Sequence, residues 1–196
     1  CVLPWIMAAF PIGRQQRIFH DLNNTAMGWS LPATIGASIA SAGRANLCII
    51  GDGSLMMTMH DLVTLARVNE SARVVVLDNS GYAMIQQTQD QWLGSAYHSS
   101  SLEGGLRFPD YKALSDAHGF AYLSVHDPED LETAFAQFWR AEEPVLLRVK
   151  VDSSWRVAPQ VRFGRPNEDM EPLLPREIFE KLMIVPPMAA SMEIDE

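Results

Sequence analysis

The chain has 196 residues, 47% of them hydrophobic, which suits one domain with a sizeable core. Fifteen Lys and Arg against 24 Asp and Glu give a net charge of −9 without a basic run, which argues against a nucleic-acid partner. The two cysteines, Cys1 and Cys48, lack metal-ligand spacing. No apolar run reaches the length of a membrane span and no signal peptide is evident, so no membrane partner and a cytoplasmic location are expected.

In chain order, Cys1 to Phe10 is followed at once by Pro11 and Gly13, where an α/β unit normally opens with a strand. The chain is therefore expected to begin inside an N-terminally truncated domain, as a fragment or a processed or split subunit. Met27 to Ala42 reads as a helix of small and apolar residues, with Pro32 near its first turn. Asn46 to Ile50 is a short buried strand in which Cys48 serves as a small hydrophobe. Thr58 to Val68 has helical spacing, and Arg73 to Leu77 is a valine-rich strand. Ala83 to Gln91 is a short helix, and Gly94 to Phe108 a loop whose length marks it as functional or mobile. A helix over Pro109 to His118 stops at Gly119. Ala121 to Val125 is a strand. Asp127-Pro128-Glu129-Asp130 then opens a helix to about Ala141, with Asp127 as cap. Pro144 to Val151 is the last strand. Alternating strands and helices over residues 1–152 predict an α/β fold, a doubly wound parallel sheet flanked by helices. Residues 153–196 form a C-terminal tail with one short helix near Arg176 to Met183.

Two strand ends carry the chemistry. Gly51-Asp52-Gly53-Ser54 follows the first strand and Leu77-Asp78-Asn79-Ser80-Gly81 ends the second, with Asp52 and Asn79 separated by 27 positions. In an open α/β sheet such loops lie side by side at the carboxyl edge, where ligands bind. A carboxylate, an amide oxygen and a main-chain carbonyl make an all-oxygen site for a hard divalent cation holding a diphosphate. The glycines lack the G-x-G-x-x-G spacing of a dinucleotide fold and the Gly-Lys-Ser/Thr of a P-loop. Taken alone, Gly51–Ser54 also fits a plain turn in which Asp52 caps the next helix.

The pair of motifs, together with Thr25-Ala26-Met27-Gly28-Trp29 before them and Ile85-Gln86-Gln87-Thr88-Gln89 after them, resembles the thiamine diphosphate enzymes, acetolactate synthase-like group. Glu168-Asp169-Met170-Glu171-Pro172-Leu173-Leu174 is similar to that group's tail. The resemblance runs from about Trp5 to Val185 and makes residues 1–152 the diphosphate-binding domain. It implies Mg²⁺ held by the side chains of Asp52 and Asn79 and the carbonyl of Gly81. It implies diphosphate contacts at Gly51, Gly53 and Ser54. Met27 would support the bent cofactor, the Thr25 carbonyl would accept from its pyrimidine amino group, and Met84 would line the thiazolium. For Met27 and Met84 the plain alternative is core packing.

By the same resemblance the activity is that of a decarboxylase or carboligase, a lyase or transferase, acting on a 2-oxo acid. The acid that activates the cofactor would lie outside this chain, in a pyrimidine-binding domain of a partner subunit, within a homodimer or homotetramer. FAD, if used, would sit in a domain outside this chain. The alternatives are a 2-hydroxyacyl-CoA lyase or oxalyl-CoA decarboxylase, for which no basic cluster marks a CoA site, and a non-catalytic cofactor-binding module. Pyruvate decarboxylases that resemble this chain carry Glu where Ile85 stands; an apolar residue there matches the synthase group. Those synthases carry Trp where Thr88 stands, which points away from a second pyruvate as acceptor. The family has Asn where this chain has Asp78, so an extra negative charge is expected beside the metal. His60 is expected to serve structure rather than proton transfer. His98 is a weaker substrate-contact candidate. Glu142-Glu143 and Glu168-Asp169-Glu171 are expected to be solvated.

Overall fold

The computed structural model describes residues 2–21, 24–41 and 45–193. Cys1 and the expected helix end at Ala42 lie outside the described residues. In order, the elements are α1 (Val2–Ala9), α2 (Ser30–Ala40), β1 (Leu47–Gly51), α3 (Asp52–Thr58), a 3-10 turn (Met59–Asp61), α4 (Leu62–Val68), β2 (Arg73–Asp78) and α5 (Ala83–Trp92). There follow α6 (Tyr111–Ala117), β3 (Ala121–Val125), a second 3-10 turn (Pro128–Asp130), α7 (Leu131–Arg140), β4 (Val145–Lys150), β5 (Gln160–Val161), β6 (Met170–Glu171), α8 (Arg176–Leu182) and α9 (Ala189–Met192).

Among the described residues four strands form one parallel sheet in the order β1-β2-β4-β3. Successive side chains of a strand point to opposite faces, and here both faces are covered. Cys48, Ile50, Val74, Val76 and Leu146 pack under α2, α3, α4 and α6, meeting Leu31, Leu55, Leu62, Leu65 and Tyr111. Val75, Val145 and Leu147 point the other way, onto Ala134 and Phe138 of α7. This two-sided burial explains the unbroken valine run of β2. Cys48 is a free, buried thiol that burial pushes up to about 11, against a bond with Thr34.

Several local expectations needed correction. The first long helix starts at Ser30 rather than Met27, because Gly28 (φ +90°) turns the chain left-handed just before it. Asp127 makes no side-chain cap bond, and its helix opens through the 3-10 turn. Asp110 does cap α6, accepting from Lys112 N at 2.9 Å and Ala113 N at 3.1 Å. The long loop over residues 94–108 is pinned by α5: Gln86 Nε2 donates to the Ser100 carbonyl at 2.6 Å and Gln89 Nε2 to that of His98 at 3.1 Å.

The tail is folded, and its acidic cluster is not simply solvated. Asp169 is 1% exposed and pairs with Arg165 at 2.6 Å and Arg176 at 2.9 Å. Burial alone would raise its carboxyl, but the two guanidiniums hold it below the usual range. Glu168 accepts from Met188 N at 3.0 Å and Ser191 Oγ at 2.9 Å, which ties α9 to the turn before β6. No helix among the described residues is long and apolar enough to cross a membrane.

Candidate functional site

The parallel pairing of β1 with β2 sets Gly51 opposite Leu77, so the two strand-end loops emerge side by side. Helix α3 begins at Asp52 itself, with Gly51 in the capping position and no side-chain cap bond. The Asp52 carboxylate instead joins the two loops. Its Oδ1 accepts from Gly53 N at 2.7 Å and its Oδ2 from Gly81 N at 3.1 Å. Asp52 is 3% exposed. Burial pushes its carboxyl up to about 7; the Gly53 and Gly81 amides oppose the rise and the Asp78 charge adds to it.

Asn79 is 7% exposed, and its Nδ2 has no hydrogen-bond partner among the described residues. A buried side-chain amide without a partner is costly unless something else meets it. Ser80 takes a left-handed conformation (φ 57°), which swings Gly81 back towards Asp52. A Cβ on Gly81 would lie 2.7 Å from both Gln86 Nε2 and the Ser100 carbonyl. A Cβ on Gly53 would lie 2.3 Å from the Tyr82 ring and 3.0 Å from Met27 Cε. Both positions therefore need glycine, and the second brings Met27 to the Asp52 loop. Tyr82 was not singled out from the sequence; nothing in its spacing marks it.

The segment carrying Thr25 and Met27 is held from two sides. Asp21 Oδ2 accepts from Ala26 N at 2.5 Å, and Thr58 Oγ1 donates to the Gly28 carbonyl at 3.1 Å. Thr25 is left-handed (φ 45°), a strained conformation that these contacts keep in place. Met27 is 42% and Met84 43% exposed, so neither is ordinary core. Met84, Ile85 and Thr88 share the exposed side of α5, whereas Gln86, Gln87 and Gln89 are buried. The helix turns its glutamines inward to loop backbones and Met84 and Ile85 outward. Ser54 is half-buried beside Gly53. His60 is exposed, 3.8 Å from Asp61, and His98 is exposed on the loop.

Asp78, the expected extra charge, is paired with two cations. It is 1% exposed and lies against Arg148 and Lys150 of β4, with Arg148 Nε donating to its Oδ2 at 2.6 Å. Burial alone would raise its carboxyl, but Arg148 and the Ser80 amide hold it below the usual range.

The comparisons with known proteins agree with this geometry. Residues 1–149 match the family described as Thiamine pyrophosphate enzyme, C-terminal TPP binding domain. The chain belongs to the thiamine pyrophosphate enzymes. It is 31% identical over 145 residues to the acetolactate synthase large subunit of Porphyra purpurea, covering 74% of this chain and 24% of that protein. It is 32% identical over 144 residues to the acetolactate synthase isozyme 2 large subunit of Escherichia coli K12, covering 74% and 26%. A solved structure, the Rhodococcus jostii RHA1 thiamine diphosphate-dependent 4-hydroxybenzoylformate decarboxylase, aligns with TM-score 0.55 and 28% identity, covering 64% of this chain and 23% of that one. The chain thus spans about a quarter of the length of these relatives. It corresponds to their C-terminal cofactor-binding domain, homologous to both synthases and decarboxylases.

The residues present suit the thiamine pyrophosphate enzymes' cofactor. The buried Asp52 carboxylate joins the two loops, and on the second loop the buried Asn79 Nδ2 has no partner among the described residues. One carboxylate, one amide and one carbonyl is the sparse oxygen set that Mg²⁺ accepts when phosphates and water complete its shell.

Proposed function

We propose that this chain supplies the diphosphate half of a thiamine diphosphate- and Mg²⁺-dependent decarboxylase or carboligase acting on a 2-oxo acid, of acetolactate synthase type. The observation that supports it best is the buried Asp52 carboxylate bridging the two strand-end loops at the sheet edge. Asp52, Asn79 and the Gly81 carbonyl would hold the metal. Gly51, Gly53 and Ser54 would face the diphosphate, and Thr25, Met27 and Met84 the two rings. When bound, thiamine diphosphate supplies the electron sink that makes loss of CO₂ from a 2-oxo acid feasible.

The chain's own residues hold, orient and shield. Asp52 and Asn79 fix the diphosphate end, so the reactive ring is presented in one pose. Met27, braced by Asp21 and Thr58, supports the bend of the cofactor. Met84 and Ile85 form an apolar wall that keeps water from the reacting carbon. Ile85 offers no proton, so a proton donor for the product would come from elsewhere. The exposed apolar residues Met27, Met84, Ile85, Trp92 and Leu93 suit cover by a pyrimidine-binding domain of a partner subunit, in a cytoplasmic homodimer or homotetramer.

The test is turnover of pyruvate with thiamine diphosphate and Mg²⁺ by residues 1–196, alone and with a pyrimidine-binding domain added in trans. No turnover alone and measurable turnover with the added domain is expected. Robust activity from the chain alone, with contaminating enzyme excluded, would overturn the half-site reading.

Met27→Ala is expected to lower turnover of the completed enzyme while leaving Mg²⁺-dependent cofactor binding largely in place. Met27 is nearly half exposed, so its loss should cost less than the about 2–5 kcal/mol of a fully buried Met→Ala. Wild-type turnover at equal folded fraction would remove Met27 from the mechanism.

A further inference from the structure

The turn that carries Asn79 and Gly81 is held by an ion-pair cluster reaching from the neighbouring strand. Asp78 ends β2, and its Oδ1 accepts from Ser80 N at 2.8 Å and from Ser80 Oγ at 3.4 Å. Its Oδ2 is held by Arg148, whose Nε and second guanidinium nitrogen both reach it. Lys150 Nζ lies 3.5 Å from Asp78 Oδ1 and also donates to Ser80 Oγ. The register explains the meeting: Lys150 stands opposite Asp78 on β4, and Arg148 stands two residues back, opposite Val76. Arg148 is itself fixed, with its guanidinium 4.9 Å from the Tyr111 ring centre.

Everything in this cluster converges on Ser80, the left-handed residue between Asn79 and Gly81. A non-glycine residue in that conformation persists only where its surroundings hold it. Ser80 is gripped through its amide by Asp78 and through its hydroxyl by Lys150. On its far side Gly81 N reaches Asp52.

We propose that Asp78, Arg148 and Lys150 form a positioning network that sets the Asn79–Gly81 turn for the metal, a role that rests on the cofactor reading above. Asp78 grips the turn, and the two cations from β4 hold that buried carboxylate in place. Its members act through Asn79 and Gly81. Partners that orient metal ligands commonly change metal affinity by about 10–100-fold when lost.

The test uses the 196-residue chain. Amide hydrogen exchange at Ser80, Gly81 and Val75 is measured without ligand by NMR, and Mg²⁺ affinity is measured calorimetrically with thiamine diphosphate present. In Arg148→Gln and Lys150→Met, exchange at Ser80 and Gly81 should quicken about tenfold with Val75 unchanged, and Mg²⁺ should bind about 10–100-fold more weakly. The double variant Asp78→Asn/Arg148→Gln, with a neutral pair in place of the ionic one, should recover both towards wild type. Lys150→Met, at the more exposed cation, keeps the test open if Arg148→Gln does not fold. Quickened exchange at Val75 to the same extent, or a double variant worse than either single change, would overturn the inference by showing a merely structural pair. So would unchanged turn exchange in a chain that binds Mg²⁺ with the cofactor. If the wild-type chain binds no Mg²⁺ with thiamine diphosphate yet the turn amides respond as described, the brace on the turn stands and the cofactor reading fails.

Discussion

Asp52→Asn is expected to abolish Mg²⁺-dependent binding of thiamine diphosphate without weakening the fold. The wild-type carboxylate is buried; it accepts from two backbone amides and faces the Asp78 carboxylate. Without a metal it gains little from being charged, which is why burial pushes it up to about 7. An amide at this position keeps an acceptor for Gly81 or Gly53 and removes the charge, so the metal-free variant at pH 8 should melt no lower than wild type. The metal, however, loses the single charged ligand of its proposed set. The loss in affinity should exceed the about 10–100-fold typical of an outer partner. Calorimetric titration and thermal melts check the two halves separately. Unchanged cofactor affinity at the same Mg²⁺ concentration would remove Asp52 from the site.

The second large effect lies far from the site. Asp169→Ala should lower stability by about 3 kcal/mol, the low end for breaking a buried ion pair, because Arg165 and Arg176 each keep a carbonyl partner and some contact with water. For a chain of this size that corresponds to a drop of about 6–12 °C in melting temperature at pH 7. The pH dependence has a definite sign. Asp169 is held below the ordinary carboxylate value, so its contribution is complete above about pH 4 and is lost as the pH falls through its folded value. The variant's melting temperature should therefore converge on that of wild type in acid. An equal gap at pH 3 and pH 7, or no gap at pH 7, would show that the Asp169 pairs do not hold the tail.

These residues also show where a reading of the sequence succeeds and where it stops. The strands were legible because parallel strands buried on two faces leave runs such as Val74-Val75-Val76. The pairing of the Asp52 and Gly81 loops was legible because it follows from two strand ends at one sheet edge. The role of Arg148 and Lys150 was not. On a strand they look like solvated ends, and only the β2–β4 register brings them to Asp78. The facing of helix α5 was not legible for a related reason: its glutamines point inward to serve loop backbones, which no hydrophobic period encodes. The burial of Asp169 was not legible because its partner Arg176 comes from a separate helix. The brace of Asp21 on the Thr25–Met27 segment rests on contacts in an irregular loop, where no periodicity exists to be read.

The central claim is that Asp52, Asn79 and Gly81 form one cation site that carries a diphosphate. Mn²⁺, a paramagnetic substitute for Mg²⁺, tests it directly when titrated into the ¹⁵N-labelled chain with and without thiamine diphosphate. The account predicts that, with the cofactor present, the amides of Gly53, Ser54, Asn79, Ser80 and Gly81 broaden first, while those of β3 on the far edge of the sheet stay sharp. Broadening centred elsewhere, or the same pattern with and without thiamine diphosphate, would contradict it.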